Sequence, residues 1–452
     1  MKETIAAVAT PPGRGGVAIV RISGANTKEI GLALVGSIPP PRYANFTTFK
    51  NSDGSIIDQG LCIFFVAPHS FTGEDVLELH AHGGPVIVDL LLRRVLSLGA
   101  RLARAGEFSE RAFLNNKMDL LQVEAVAELI NAHTEQAAVA AMRSLQGDFS
   151  KLINTLVEAL IQLRLYVEAA IDFPEEEINF LADAHILNSM QHLLAQVSAI
   201  HNRAQQGALL NEGSNAVIIG RPNAGKSTLL NTLTGQETAI VTPIAGTTRD
   251  TIKSQINLDG IMLNVTDTAG LRETDDLVEQ HGIKRTLQAM QLADLLLIVV
   301  DGSVEKQHNP WLLYPELQQQ LNGSAKVLVI YNKIDQLGVQ PYVQIYDTYV
   351  MVAISAQQQV GLDLLLQNIK KIIGVTQSAD GGIFLARRRH LDALVRAQQH
   401  LNIGLQQLQV YAAGELLAEE LKQAQQALCE ITGAFTSDDL LGRIFSEFCI
   451  GK

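Results

Sequence analysis

Val217-Ile-Ile-Gly-Arg-Pro-Asn-Ala-Gly-Lys-Ser-Thr-Leu-Leu-Asn-Thr-Leu233 is the stretch whose reading decides the fold. Its first three residues are an unbroken β-branched run, the texture of a strand buried on both faces. Gly220 to Ser227 then carries the spacing GxxxxGK[ST], and Thr228 to Leu233 reads as a helix. Strand, glycine-rich loop and helix in that order make a phosphate cradle. Glycines let the backbone wrap an anion, and amides at the helix start meet its oxygens. Lys226 reaches the β- and γ-phosphates, and Ser227 offers a hydroxyl to magnesium.

Around this core, residues 213–377 alternate strand and helix signals, as a parallel sheet covered on both faces requires. Helical periodicity flanks it on both sides. Residues 119–212 repeat apolar side chains at helical spacing (Ile186, Met190, Leu193, Val197), with a break at Asp172 to Ile178 where Pro174 suits a new helix start. Residues 378–452 resume the pattern with Leu391, Leu394, Leu401, Leu405 and Leu408, and Gly414 to Glu430 reads as a further helix. Residues 1–118 differ in texture: Val17 to Ile22 and Leu61 to Val66 read as strands between Gly and Pro clusters. Pro85 to Leu98 reads as a helix with Val86, Leu90 and Val95 near one face. The expected fold is multidomain: an α+β amino-terminal domain, an all-α helical domain in two parts, and an inserted α/β P-loop domain. A chain of 452 residues exceeds what one core supports, since single cores stop growing at roughly 250–300 residues.

Composition sets bounds on function. With 47% hydrophobic and 18% charged residues the chain is ordinary globular protein. No run of about 18 apolar residues occurs and the start lacks a signal-like apolar core, so a cytoplasmic protein without a membrane segment is expected. Cys62, Cys429 and Cys449 are too few and scattered for a disulfide framework or a CxxC metal site. Cys449 stands where prenylation motifs place a cysteine, but Gly451 and Lys452 fit that pattern poorly. A net charge of −12 argues against nucleic-acid affinity through global attraction. The basic spots Arg387 to His390 and Arg101, Arg104, Arg111 and Lys117 read as solvated helix faces. His80 and His82 alternate on one strand with no third ligand nearby, and read as strand-end histidines rather than a metal site.

Three further motifs follow the loop in order. Asp267-Thr-Ala-Gly270 closes an apolar run, Asn332-Lys-Ile-Asp335 follows Val327 to Tyr331, and Ser355-Ala356 follows Val352 to Ile354. They resemble the base-reading motifs of the small GTPase superfamily, which implies that Asp335 pairs with guanine's amine and ring NH while Asn332 and the Ala356 amide address its oxygen. GTPases of the Ras type place a water-orienting Gln after the DxxG motif, where this chain has Leu271. A hydrophobic side chain orients no water. Either hydrolysis is slow or another group acts, and the carboxylate-rich segment Arg272 to Glu279 is equally readable as that source or as an exposed acidic loop.

Asn223 in the phosphate loop, Thr242-Pro-Ile-Ala-Gly-Thr-Thr-Arg-Asp250, the opening TPPGRGGVAIVRISG, FTGEDVLEL, GEFSERAFLN and the terminal FCIGK together resemble the MnmE (TrmE) family of bacterial tRNA-modification GTPases over essentially the whole chain. The resemblance implies a Ras-like G domain that dimerises across its nucleotides, with potassium held by Asn223, Thr242, Ile244 and Thr247 in the place of an arginine finger. It puts magnesium on Ser227 and Thr248 and the water-orienting carboxylate on Glu279. Its GTP site comprises Asn223, Ala224, Gly225, Lys226, Ser227 and Thr228, then Thr242, Thr247, Thr248, Asp267, Thr268, Ala269 and Gly270, and finally Asn332, Lys333, Asp335, Ser355, Ala356 and Gln357. The amino-terminal domain is implied to be folate-binding-like and dimerising, with 5-formyl- or 5,10-methylene-tetrahydrofolate against Arg21, Glu78, Lys117 and Lys452. Cys449 falls on the family's essential cysteine. The residues alone leave these four charges readable as surface groups and Cys449 as a small buried apolar residue.

The function implied is GTP hydrolysis driving a homodimer that, in a heterotetramer with the flavoprotein MnmG, adds a carboxymethylaminomethyl or aminomethyl group to carbon 5 of the wobble uridine of certain tRNAs. Two other readings stay on the table: a ribosome-assembly GTPase without carbon chemistry, and a regulatory switch served by a separate activating protein. Asn223 paired with Leu271 speaks against the second.

Overall fold

The structure is a computed structural model and describes residues 3–172, 184–234, 253–267, 290–291, 293–315, 317, 325–375, 383–411, 413–434, 438–446, 448 and 451. The expected helix start at Pro174 lies outside them. The principal elements of the first part are β1 (Ile5–Val8), β2 (Gly15–Ser23), α1 (Thr27–Val35), β3 (Asn45–Lys50), β4 (Ile56–Phe65), β5 (Val76–Gly83), α2 (Pro85–Ser97), β6 (Arg101–Leu102) and α3 (Glu107–Leu114). Helices α4 (Leu120–Asn131), α5 (Glu135–Leu145), α6 (Asp148–Asp172) and α7 (Ala184–Glu212) follow. Then come β7 (Ser214–Ile219), α8 (Lys226–Thr234), β8 (Lys253–Leu258), β9 (Ile261–Asp267), β10 (Leu295–Asp301), β11 (Lys326–Asn332), β12 (Tyr342–Ile345), β13 (Val350–Ala353) and α9 (Leu362–Ile373). The chain ends in α10 (Arg388–Tyr411), α11 (Gly414–Thr432) and α12 (Asp438–Ser446).

Two compact units emerge: Met1–Asn131 with Ala141–Ala199 and Asp392–Lys452, and Ala132–Ala140 with Ile200–Leu391. The second is built on a seven-stranded sheet of order β12-β13-β11-β10-β7-β9-β8. Its centre is parallel and only the edge pairs β8/β9 and β12/β13 are antiparallel. The strands are apolar without interruption because both faces are covered. Ala216, Ile218, Leu295, Leu297 and Val299 pack into one core, while Val217, Ile219, Leu296, Ile298 and Val300 pack into the other. Ala132–Ala140 joins this unit through Thr134, whose hydroxyl donates to the Gly260 carbonyl at 3.0 Å.

The first unit holds a six-stranded sheet, β3-β4-β5-β2-β1-β6, antiparallel except for β1/β6. Helix α2 forms over the expected span but presents a different face: Leu91 and Val95 are buried with Ile87 packed beside them, while Val86 is 70% and Leu90 42% exposed. Four-residue steps from Ile87 drift by only about 40° each around the helix, so 87, 91 and 95 form the stripe, and 86 and 90 lie about 100° to its side. In the helical part, α6 buries Phe149, Ile153, Leu156, Leu160, Leu163 and Val167 at three- and four-residue spacing. Arg164 donates to the Gln425 amide oxygen of α11 at 2.6 Å.

The two basic spots are solvated faces only in part: Arg104, Lys117 and Arg388 are exposed, whereas Arg111 and His390 are buried. Arg111 is buried and bonds Glu74 at 2.8 Å and Glu107 at 3.1 Å, and Arg101 bonds Glu107 at 2.6 Å. His390 is buried, and its Nδ1 accepts the Arg387 backbone N–H at 3.0 Å, while Arg388 pairs with Asp294 at 3.1 Å. Some of the carboxylates are neighbours in sequence, Glu107 and Glu110 in the first spot, while Glu74 lies 37 residues from Arg111 and Asp294 lies 94 from Arg388.

Burial opposes charge on Glu107, yet hydrogen bonds from Arg101, the Arg104 backbone N–H and Arg111 outweigh it and hold its pKa at about 2. A carboxylate depressed in this way stabilises the fold above its unfolded pKa near 4.5 and loses that contribution as pH falls toward 2. Glu107→Gln is expected to lower stability at pH 7 by on the order of 2–3 kcal/mol and to flatten the acid side of the stability profile. Melting temperatures measured from pH 7 to pH 3 check this, and curves superimposing on the parent's would refute the role given to the network.

Candidate nucleotide site and amino-terminal polar site

Strand β7 lies between β9 and β10, so the strand order reverses at its carboxyl end, the position where open α/β sheets bind ligands. The loop from Gly220 to Gly225 leaves β7 there and enters α8 at Lys226. Asn223 has φ of 64° and Gly225 of 99°. A Cβ on Gly225 would stand 2.2 Å from the Asn332 amide nitrogen, so only glycine admits that close approach. Lys226 Nζ donates to the Gly220 and Arg221 carbonyls at 2.7 and 3.2 Å, closing the loop on itself. Asn223, Ser227 and Thr228 are exposed.

The Asn332 to Asp335 turn follows β11, two strands from β7, and its first residue is buried. Asn332 Nδ2 donates to the Ala224 carbonyl at 2.9 Å and its Oδ1 accepts the Ala356 N–H at 3.0 Å. The side chain expected to address a base oxygen therefore also ties the phosphate loop to the loop after β13, and it engages the Ala356 amide itself. Lys333 adopts a left-handed backbone, φ of 66° and ψ of 35°, which costs a non-glycine residue about 1–2 kcal/mol. Its Nζ pairs with Asp301 Oδ2 at 2.6 Å. Burial opposes the Asp301 charge, but Lys333 and then Ser303 hold its carboxyl below the usual range. Asp335 Oδ1 is a buried acceptor with no partner among the described residues. Ser355 is buried and its hydroxyl accepts the Gln358 N–H at 3.2 Å, while Gln357 is exposed.

Asp267 closes β9 in parallel register beside β7, with Ile218 opposite it, which brings its backbone to the same sheet end. Its side chain, and Thr242, Ile244, Thr247, Thr248, Thr268, Ala269, Gly270, Leu271 and Glu279, lie outside the described residues.

In the amino-terminal sheet, register places Arg21 of β2 opposite Glu78 of β5. Arg21 Nε donates to Glu78 Oε1 at 2.9 Å, and Nη1 donates to the Gly451 carbonyl at 3.4 Å. The guanidinium carbon sits 5.6 and 5.7 Å from the ring centres of Phe71 and Phe108. His80 Nε2 lies 3.3 Å from Glu78 Oε2, and His82 Nδ1 2.8 Å from Asp58 Oδ1, so the two imidazoles have separate carboxylate partners. Gly451 is buried with φ of 96°, and a Cβ there would stand 2.3 Å from the Val8 carbonyl. The structure thus gathers Arg21, Glu78 and the penultimate residue. Lys117 packs its stem on Gly73. Cys449 and Lys452 lie outside the described residues. Sequence reading had no signal for Phe71, Phe108 or Asp301 here, although a carboxylate ending the run Leu295 to Asp301 shares its sheet end with the phosphate loop.

A glycine-rich loop at the switch point of a parallel sheet, with an Asn-Lys-x-Asp turn tied to it, defines a P-loop nucleotide-binding domain carried within a helical and α+β chain. Residues 4–117 match the family described as GTP-binding protein TrmE N-terminus and residues 120–449 the MnmE helical domain. The tRNA modification GTPase MnmE of Pseudomonas entomophila is 56% identical over 100% of this chain and 99% of its own, and that of Hydrogenovibrio crunogenus 55% identical with the same coverage. The chain belongs to the MnmE (TrmE) family of tRNA modification GTPases, and it is a GTP hydrolase. Among solved structures, a variant of Era from Aquifex aeolicus aligns at 26% identity over 41% of this chain and 66% of its own, with a TM-score of 0.28, a likeness too slight to bear on the fold.

Gly225→Ala is expected to weaken GDP binding by an order of magnitude or more, because alanine disfavours the positive φ the loop holds there and its methyl displaces Asn332. Titration with a fluorescent GDP analogue tests this, and unchanged affinity would remove Gly225 from the architecture of the site.

Proposed function

We propose that this chain is a potassium-activated GTPase that acts with MnmG to add a carboxymethylaminomethyl or aminomethyl group to carbon 5 of the wobble uridine in certain tRNAs, nucleotide turnover opening and closing a homodimer. The observation that carries the reading is the unbroken match, at 56% identity over 100% of the chain, to a protein named for tRNA modification. In this reading the domains fall at 1–118, 119–212 with 378–452, and 213–377; the family matches over 4–117 and 120–449 are in keeping with the first of these boundaries.

In this reading guanine is held by Asp335, whose Oδ1 is a buried acceptor awaiting donors, and the phosphates by the loop amides and Lys226. Magnesium falls to Ser227 and Thr248, with Asp267 beside them. Asn223 suits a potassium ligand because its amide sits exposed on a positive-φ residue of the loop, and a side-chain amide with loop carbonyls is the hard oxygen donor set a monovalent cation takes. Such an ion supplies positive charge where the γ-phosphate oxygens need it. With Leu271 unable to orient water, that task goes to Glu279.

The amino-terminal site fits a reduced folate through its donor set. Glu78 is an acceptor for paired N–H donors of a pterin edge, Arg21 is held between two aromatic rings, and Lys117 and Lys452 are cations suited to a glutamate tail. The folate supplies the one-carbon unit, and Cys449 falls beside the residues that anchor the tail in sequence. An acidic chain of net charge −12 leaves much of the tRNA affinity to the partner.

GTP turnover in potassium should exceed that in sodium at equal ionic strength by at least tenfold, on the scale of about 10³–10⁵ that an arginine finger contributes. Equal rates in the two salts would sink the cation mechanism. Deleting the gene should leave the wobble uridine of the target tRNAs unmodified by mass spectrometry of nucleosides; normal modification with defective ribosomal subunits would favour the assembly reading instead.

A further inference from the structure

We infer that Asp301 is a positioning residue for guanine selectivity, holding Lys333 in its left-handed turn so that Asn332 and Asp335, on either side of it, stay aimed at one base. The inference rests on the reading of Asn332 to Asp335 as the guanine-recognition turn.

Register puts Asp301, the last residue of β10, opposite Asn332, the last residue of β11. The two strand ends are stitched by the Gly302 N–H, which donates to the Asn332 carbonyl at 2.9 Å. From there Asp301 reaches forward one residue to Lys333 Nζ at 2.6 Å. The carboxylate is itself held: its Oδ1 accepts the Ser303 N–H at 3.0 Å and the Ser303 hydroxyl at 2.6 Å, leaving Oδ2 for the lysine. Side-chain exposures of 27% for Lys333 and 19% for Asp301 make this a half-buried, charge-assisted contact rather than a solvent-screened surface pair.

Lys333 needs such a hold. A left-handed backbone on a lysine relaxes unless its surroundings over-determine it. Relaxation would rotate the peptide between Asn332, whose side chain is fixed to Ala224 and Ala356, and Asp335, whose Oδ1 has no partner among the described residues. Asn332 is anchored from two sides, so Asp335 is the group that would swing. Asp335 is also the group that reads the exocyclic amine. Loss of the anchor should therefore appear as loss of discrimination for that amine more than as loss of nucleotide binding in general.

Inosine diphosphate lacks the amine and is otherwise the same ligand, so the ratio of IDP to GDP dissociation constants reports the Asp335 contact. In the full-length protein, Asp301→Asn keeps the acceptor that Ser303 uses and removes the charge that holds Lys333. It should raise the Kd of GDP on the order of tenfold and that of IDP far less, bringing the ratio close to one, while kcat at saturating GTP stays near the parental value. Lys333→Met removes the same ion pair from the other side and should give the same collapse of the ratio, which keeps the test open if one variant folds poorly. Asp301→Glu should recover part of the selectivity. A ratio that stays parental in both variants, or Kd values for GDP and IDP that rise in parallel, overturns the positioning role. A parental protein that itself binds GDP and IDP equally would overturn the guanine reading of the turn and this inference with it.

Discussion

Parallel pairing of β7 with β9 on one side and β10 on the other is the constraint on which the G-domain site depends. It brings the carboxyl ends of β7, β9, β10, β11 and β13 to one side of the sheet, and the phosphate loop, the Asn332 to Asp335 turn and the Ser355 loop leave from there. Strands buried on both faces cannot slip by one residue without moving one core's side chains into the other, so the register that sets Asp301 opposite Asn332 and Ile218 opposite Asp267 is rigid. Loops anchored on rigid strand ends can then afford unusual backbones such as those of Asn223, Gly225 and Lys333.

The contacts between those loops follow a division of labour. Asn332 satisfies the Ala224 carbonyl and the Ala356 amide, both buried, and so binds three loops into one piece. Asp335 keeps a buried oxygen without a partner among the described residues. A buried acceptor without a partner costs about 1–3 kcal/mol, a cost that a base with two adjacent N–H donors would offset.

The amino-terminal unit solves a different problem, the burial of charge. Arg111 and Glu107 are almost wholly enclosed, which is tolerable only because each has several partners: Glu74 and the Glu3 carbonyl for Arg111, and Arg101, Arg104 and Arg111 for Glu107. Close to this network, Arg21 is paired with Glu78, flanked by two rings and donating to the Gly451 carbonyl, so the end of the chain is drawn to a pre-arranged polar site. Glycine at 451 fits because its backbone is left-handed and lies against Val8.

By itself the sequence determined what short-range physics encodes: a strand, a glycine-rich loop and a helix from Val217 to Leu233, a three-part chain, and apolar runs ending in Asp267, Asn332 and Ile354. These are local because hydrophobic period and loop glycines act over a few residues. Only the tertiary structure decided which side of α2 is buried, since Val86 and Leu90 are as apolar as Ile87 and Leu91 and a helix wheel without a neighbour has no inside. It also decided that Arg111 meets Glu74 across 37 residues of sequence, that Asp301 pairs with Lys333 across 32, and that Arg21 meets Gly451 across 430. Charge pairing of this kind depends on distance in space, and sequence separation carries almost no information about it until strand order and register are known.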